Sequence, residues 1–458
     1  MNIDTKELDE TIRPVKKTDL IYGIDDRPPF KDTIFAAFQH LLAIFVAIIT
    51  PPIIIANALE GALNLDLETK SFLISMALFA SGISTFIQCR KVGPFGAGLL
   101  CVQGTSFSFI GPIITAGFMG GLPLIFGATI AAAPIEMIIS RTFKYLRNII
   151  TPLVSGIVVL LIGLSLIKVG VISCGGGNPA DASFGSIENM GIAFSVLVSV
   201  LFFNRCKNKY LRMSSIVLGI IIGYIIAFTL GMVDFGAAAS QTLWGINIPT
   251  PFKYGLAFNA SSIIALGLVY MITAIEATGD ITANSMISGK PIEGEGYVKR
   301  VSGGVLADGF NSVIAGVFNS YPNSIFAQNN GLIQLTGVAS RYVGYYIAAM
   351  LILLGLFPAV GIVFSLMPAP VLGGATLLMF GTVAAAGIRI IASQEINRKA
   401  TLVLAVSLSL GLGVELMPDI LNTAPEMVKG IFSSGITTGG LAAIFANIFI
   451  RVKEDKAE

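Results

Sequence analysis

Glu276 and Asp280 stand four residues apart in the apolar run Val269-Tyr-Met-Ile-Thr-Ala-Ile-Glu-Ala-Thr-Gly-Asp280, so a helix there presents both carboxyls on one face. Carboxylates at membrane depth are costly unless paired, protonated or reached by water, which makes solute or proton binding the default reading. Asp308, in Gly303-Gly-Val-Leu-Ala-Asp308, supplies a third acid to the next apolar run. His40 is the only histidine and lies within the first such run. Its imidazole suits proton handling or gating, or a bridge between helices, and the bridge is the preferred reading. Glu136 and Lys168, near the ends of their runs, read as interfacial or snorkelling groups.

Two further stretches are polar where a membrane helix would be apolar. One runs Gly96-Ala-Gly-Leu-Leu-Cys-Val-Gln103-Gly-Thr-Ser-Phe-Ser108-Phe109-Ile-Gly-Pro112. The other, Tyr321-Pro-Asn-Ser-Ile-Phe326-Ala327-Gln328-Asn329-Asn330-Gly331, continues to Thr336, Gly337 and Arg341. Lipid cannot satisfy these amides, so both should line a protected cavity. Gly96, Gly98 and Gly104, and Pro322 with its following asparagines, weaken a continuous helix, and each stretch is expected to hold an extended piece followed by a half-helix. Half-helices meeting near the centre would offer backbone N–H groups and dipole ends to a polar ligand. The alternative is that the small residues only allow close helix packing. Pro51 and Pro52 predict a bend in the first span.

These stretches must be positioned by a membrane-embedded scaffold. Hydrophobic residues make up 54% of the 458, charged residues 12%, and the mean hydropathy is +0.82, whereas soluble domains carry about 25% charged residues. An all-α polytopic membrane protein follows. The first 31 residues are polar, with no apolar run before Ile34 and no small-residue cleavage site, so no secretory signal peptide is expected. Cys89, Cys101, Cys174 and Cys206 are scattered without C-x-x-C, against a metal or disulfide role.

Apolar spans begin near residues 32, 71, 98, 121, 149, 189, 213, 259, 301, 322, 342, 368, 400 and 433, which gives fourteen crossings. With the N-terminus inside, all but four of the 29 Lys and Arg residues (Lys70, Lys168, Lys253 and Lys429) fall on the cytoplasmic side, favouring this orientation and cytoplasmic termini. The polar connection at 232–258, with Asp234, Trp244, Pro249, Pro251 and Lys253, divides seven spans from seven. An odd number per half inverts the second half relative to the first. The interrupted spans are then the third and the tenth, matching positions of the two halves and a pointer to a midplane site.

The run Gln328-Asn329-x-Gly331-x-x-x-x-Thr336-Gly337 resembles the signature of the nucleobase–ascorbate transporter family, in the variant of the bacterial xanthine and urate permeases. The likeness extends to Gln39-His40-Leu41-Leu42, Gln103-Gly-Thr-Ser-Phe, Ile275-Glu-Ala-Thr-Gly-Asp280 and Gly303-Gly-Val-Leu-Ala-Asp308, in that order along nearly the whole chain. The resemblance implies a cytoplasmic arm (1–31), a core domain (32–148 and 259–366), a gate domain (149–232 and 367–450) and a tail (451–458). It also implies a homodimer whose core slides against the gate in an elevator-like cycle. It implies a proton-coupled purine carrier of the cell (inner) membrane, with no cofactor beyond the coupling proton and no nucleic-acid partner.

Carried over residue by residue, the resemblance gives Glu276 and Gln328 the purine edge. Ser108, Phe109, Phe326 and Ala327 flank them, Phe109 and Phe326 stacking on the ring or offering backbone groups. Asp280, Asp308 and His40 take proton coupling or gating, and Gln103, Asn329, Gly331 and Thr336 structural support. Many xanthine-selective relatives carry Asn where this chain has Ser108; the shorter side chain leaves room for the extra oxygen of urate. Gln334 and Leu335 still look like a xanthine permease. Xanthine transport, with urate as a second substrate, is the expected function. A carrier of uracil or another nucleobase is the first alternative, although Gln328 resembles the purine variant and uracil carriers tend to have Glu there. An anion transporter is disfavoured by an acidic cavity without a buried Arg, and a channel by interrupted spans with one acidic pair. No H-E-x-x-H, nucleophile elbow or metal-ligand cluster suggests an enzyme.

Overall fold

Capping residues cut the apolar sequence into helices where the charge pattern changes. In the computed structural model, Asp66 accepts from Thr69 N at the start of α2 (Leu67–Arg90), which follows α1 (Phe30–Leu63). Thr151 and Pro152 start α5 (Pro152–Gly175), and Asn259 accepts from Ser261 N and Ser262 N at the start of α8 (Ala260–Ile287). Such side-chain oxygens satisfy N–H groups that the first helical turn leaves unpaired. The structure describes residues 20–146, 151–208, 211, 212, 214–233, 245–392, 394–425, 428, 429, 432 and 434–450. Most of the N-terminal arm, the tail 451–458, Arg147, Lys209, Asp234 and Trp244 lie outside the described residues.

The third span is interrupted as expected. Gly96 and Gly98 turn the chain with φ of 111° and 69°, β1 (Gln103–Thr105) is extended, and a 3₁₀ turn (Phe107–Phe109) leads into α3 (Ile110–Ala132). A break at Gly120 and Gly121, the latter with φ 68°, separates the half-helix from the second part of α3, and the chain continues as α4 (Pro134–Leu146). Next come α6 (Ile187–Arg205) and α7 (Ser215–Thr229). After α8, α9 (Gly294–Val317) precedes β2 (Asn323–Ile325) and α10 (Ala327–Thr336), the second extended piece with its half-helix. The chain ends with α11 (Arg341–Leu356), α12 (Pro358–Ser365), α13 (Ala369–Ala392), α14 (Arg398–Leu416) and α15 (Gly435–Phe449).

Among the described residues eight helices are long and apolar enough to cross a membrane, or nine if α11 and α12, bent by 75° at Pro358, form one span. The chain is thus a multi-pass membrane protein. The sequence predicts fourteen crossings; α7, α10 and α15 are shorter than a full crossing, since at about 1.5 Å per residue a 15-residue helix reaches only some 22 Å. The bend expected at Pro51 and Pro52 does not divide α1, which runs through both buried prolines as one helix of 34 residues.

The helices pack in two groups. α1 to α4 associate with α8 to α12, the main contacts being α2 with α11, α4 with α9 and α3 with α8. α5 to α7 associate with α13 to α15, and α5 lies along α13. That last pair is set by small residues: a methyl group on Gly163 would meet Ala384 N at 2.3 Å, and one on Gly387 would meet Leu160 N at 2.4 Å. Close backbone approach is how membrane helices gain packing without a hydrophobic drive. The groups touch chiefly where α8 meets α5 and α15 and where α1 meets α7.

Candidate functional site

β1 and β2 cross as a two-stranded antiparallel pair, with Gln103 opposite Ile325, Gly104 opposite Ser324 and Thr105 opposite Asn323. Ser106 N donates to Pro322 O at 2.9 Å and Phe326 N to Val102 O at 3.0 Å, extending the pairing at both ends. Extended backbone survives inside an apolar protein because each segment satisfies the other. From this crossing the 3₁₀ turn into α3 and helix α10 leave with their N-terminal ends at a common cavity, where unpaired N–H groups and positive dipole ends favour acceptor atoms of a ligand.

That cavity has a volume of about 250 Å3. Ser106, Ser108, Glu276, Asp280, Ser324, Phe326, Ala327 and Gln328 line one side; Val159, Ile162 and Leu166 of α5 and Thr382, Val383, Ala386 and Arg389 of α13 line the other. The wall therefore draws on both helix groups. Ser108 Oγ donates to Glu276 Oε2 at 3.4 Å, and Gln328, the second residue of α10, brings an amide that both donates and accepts. Asp280 Oδ2 is buried without a protein partner, while its backbone carbonyl accepts from Asn330 Nδ2 at 3.1 Å. Phe109 stands apart from the lining: its fully buried ring packs on Tyr270 at 4.6 Å between centroids.

The remaining sequence-derived residues brace this arrangement from behind. His40 of α1 meets Asn329 of α10, Nδ1 to Oδ1, at 2.8 Å. Because Asn329 Nδ2 donates to Leu100 O at 2.6 Å, its oxygen faces the ring, and His40 Nδ1 is the donor. The histidine thus bridges two helices, and its Nε2 is buried without a partner. Asp308, fully buried, accepts from Gln103 Nε2 and from Ser324 Oγ at 3.2 Å, and Gln103 Oε1 in turn accepts from Asn311 Nδ2. One carboxyl thereby holds a side chain from each crossing strand. Thr336 Oγ1 donates to Leu332 O at 2.8 Å in the last turn of α10 and accepts from Val338 N at 3.2 Å. Beyond it Gly337 caps the helix in the left-handed region, and Ala339 N and Arg341 N donate to Tyr22 O and Ile24 O of the N-terminal arm. A methyl group on Gly331 would meet nothing within 4 Å.

Besides Phe109, two placements differ from what the sequence suggests. Glu136 was expected at an interface; it is 0% exposed, between α8 and α9, with Thr273 Oγ1 at 3.4 Å from its Oε1. A lone acid two residues after Pro134 reads as a helix-start group, and only the approach of α9 buries it. Arg389, one of the Lys and Arg residues that the charge pattern puts on the cytoplasmic side, lines the cavity on α13 and is exposed. Its spacing from Thr382 and Ala386, seven and three residues, marks one helical face and was the available signal. Lys168 is exposed, as expected, and its Nζ donates to Glu415 O at 3.3 Å.

Comparison with known proteins places this geometry in a family. The sequence model described as a permease family matches residues 31–420. The chain is 49% identical over 463 residues to the xanthine permease XanP of Escherichia coli (strain K12), covering 98% of each protein. It is 47% identical to the xanthine permease XanQ of the same strain over 94% of each chain, and 34% identical to the uric acid permease PucJ of Bacillus subtilis (strain 168) over 92% of this chain and 93% of that one. Among solved structures, the murine anion transporter Slc26a9 in its inward-facing state aligns with a TM-score of 0.57 at 13% identity, over 98% of this chain and 72% of that one. The transmembrane domain of the cyanobacterial bicarbonate transporter BicA aligns with a TM-score of 0.50 at 14% identity, over 93% and 100%. At such identities the two structures speak to the fold alone, whereas the sequence relatives are permeases, not enzymes. The chain belongs to the permease family, in its nucleobase–ascorbate transporter branch, and its signature starts at the crossing of the two interrupted spans, where Gln328 lines the cavity.

Proposed function

We propose that this protein takes up xanthine, and accepts urate, across the cytoplasmic membrane in symport with protons. The observation that carries the reading is the convergence of Glu276, Ser108 and Gln328 on one cavity at the N-terminal ends of two half-helices. A xanthine edge presents N–H donors and carbonyl acceptors; a carboxylate accepting and an amide doing both fix its orientation. Relatives named as xanthine permeases at 49% and 47% identity, and a uric acid permease at 34%, support the substrate class. The smaller Ser108 leaves the room that urate needs.

In this reading fourteen crossings form two inverted sets of seven, with both termini cytoplasmic, and the chain works as a homodimer. The group containing α1 to α4 and α8 to α12 is the moving core, the other group the gate. A cavity wall shared by the two suits an elevator-like cycle, because displacement of the core along α5 and α13 carries the ligand between the two sides. Asp280 and Asp308 are the groups through which protonation couples to that motion.

The test is uptake of labelled xanthine, urate, hypoxanthine and uracil into membrane vesicles with and without an imposed pH gradient. Xanthine uptake should be driven by the gradient, urate should compete and uracil should not. Glu276→Gln and Gln328→Ala should abolish or sharply reduce uptake while the protein still inserts. Normal transport by both variants, or uptake of uracil in preference to purines, would reject the proposal.

A further inference from the structure

The geometry points to Glu136 as the second half of a proton-sharing carboxyl pair with Asp308, set behind the binding cavity. Helices α4 and α9 come close at the residue after Asp308: a methyl group on Gly309 would meet Met137 Cγ at 2.9 Å, Ala133 O at 3.0 Å and Glu136 Cβ at 3.2 Å. The glycine thus lets Glu136 and Asp308 face each other within hydrogen-bonding reach, both with no exposed surface. Glu136 Oε2 receives no donor from the protein. The ion pairs among the described residues are Lys70–Glu60, Lys299–Glu295 and Arg341–Asp25, so none offers either acid a cation. Two buried carboxylates at this separation repel each other when both are ionised; a proton between them removes the repulsion and supplies the missing donor.

The groups facing the pair are all neutral donors or further acids. α8 contributes Thr273, Tyr270 and, further along, Glu276 and Asp280; α9 contributes Asn311 and Ser312; the first interrupted stretch contributes Cys101, and the crossing strands Gln103 and Ser324. Two routes lead from the cavity to the pair. Ser324 lines the cavity and donates to Asp308, while Thr273, on Glu136, lies three residues from Glu276 on the same helical face. The pair bears one negative charge while it holds the proton and two when the proton leaves. No other bond changes.

The inference rests on the proton-coupled reading above and is tested so that the two can fail separately. Purified protein in liposomes is given labelled xanthine, first with a pH gradient and then in counterflow, where no net proton movement is needed. One pH unit supports about tenfold accumulation for each coupled proton. Wild type should show that accumulation, and Glu136→Gln, whose amide gives Asp308 a permanent donor, should lose it while counterflow persists. If Glu136→Gln does not fold, Glu136→Asp is the second variant, whose side chain is one methylene shorter and draws back from Asp308; it is expected to accumulate xanthine with a displaced pH midpoint. Accumulation by Glu136→Gln equal to wild type, or a Glu136→Asp midpoint unchanged from wild type, overturns the pair alone. Absence of pH-driven accumulation in wild type, or its replacement by sodium-driven accumulation, overturns proton coupling and the pair together.

Discussion

Gly104 sits in the middle of the strand crossing, opposite Ser324, and Gly104→Ala measures how tightly that crossing sets the cavity. A methyl group there would stand 2.5 Å from Phe326 Cε2 and 2.6 Å from Ile48 Cγ1, where carbon atoms sit comfortably at about 3.5–4.0 Å. Both overlaps are roughly 1 Å. Ile48 is completely buried in α1 and has nowhere to go, while Phe326 borders the cavity and can move only into it. Overpacking of this kind costs about 1–3 kcal/mol. Thermal unfolding in detergent should report that loss as a lower Tm. If about 1.4 kcal/mol of it is transferred to the bound state by the displaced ring, the KM for xanthine rises about tenfold.

Gly191→Ala, in α6 with nothing within 4 Å of the added methyl, is the control. There alanine only improves helix propensity, by roughly 0.5–1 kcal/mol, so Tm should hold or rise and KM should not move. Wild-type Tm and KM in Gly104→Ala would refute the steric argument. A lowered Tm with unchanged KM would shift the relaxation from Phe326 to Ile48.

Asn329→Ala leaves His40 without a partner, whereas Leu100 O keeps Asn284 Nδ2 at 2.9 Å, so the cost is that of one orphaned buried group, about 1–3 kcal/mol. A double-mutant cycle with His40→Ala, read by thermal unfolding, should show coupling; additive losses would disprove the bridge. Ser108→Asn fills space beside Glu276 and should lower urate competition relative to xanthine, and an unchanged ratio would remove that steric account. Asp66→Ala, in the connection before α2, loses the cap on Thr69 N and about 1 kcal/mol of stability. The bonds from Thr69 hold the Asp66 carboxyl below its ordinary value of 3.8. Its contribution is therefore complete above that value and disappears as pH falls through the lower folded-state value, a loss that the wild type should show in acid titration of Tm and the variant should lack.

The two interruptions were legible because glycine, proline and asparagine are the residues that break helices, and they recur at matching places in the chain. The shared face of Glu276 and Asp280 followed from spacing alone. The register of Gln103 against Ile325 did not, since strands of three residues carry no periodicity and only the surrounding helices bring them together. Glu136 was misread for a related reason: its burial depends on a glycine at 309, far along the chain, which has no signature until α4 and α9 are in contact. Arg389 lay in a charge cluster that orients the protein, and orientation reasoning absorbed it. Its face on α13 is legible only in the spacing from Thr382 and Ala386.

The crossing also explains why polar backbone is tolerated here. A helix satisfies its own amides; a three-residue strand cannot, and each of these two would be untenable without the other. Their pairing covers the backbone between Val102 and Phe326 and leaves the following half-helix starts free to face the cavity. Thr85, Ser84 and Ser312 tie single strands to the helices, whereas Asp308 joins both, accepting from Gln103 on one strand and Ser324 on the other. A change in charge or hydrogen bonding at that carboxyl acts on both strands at once, and through them on both half-helix ends at the cavity.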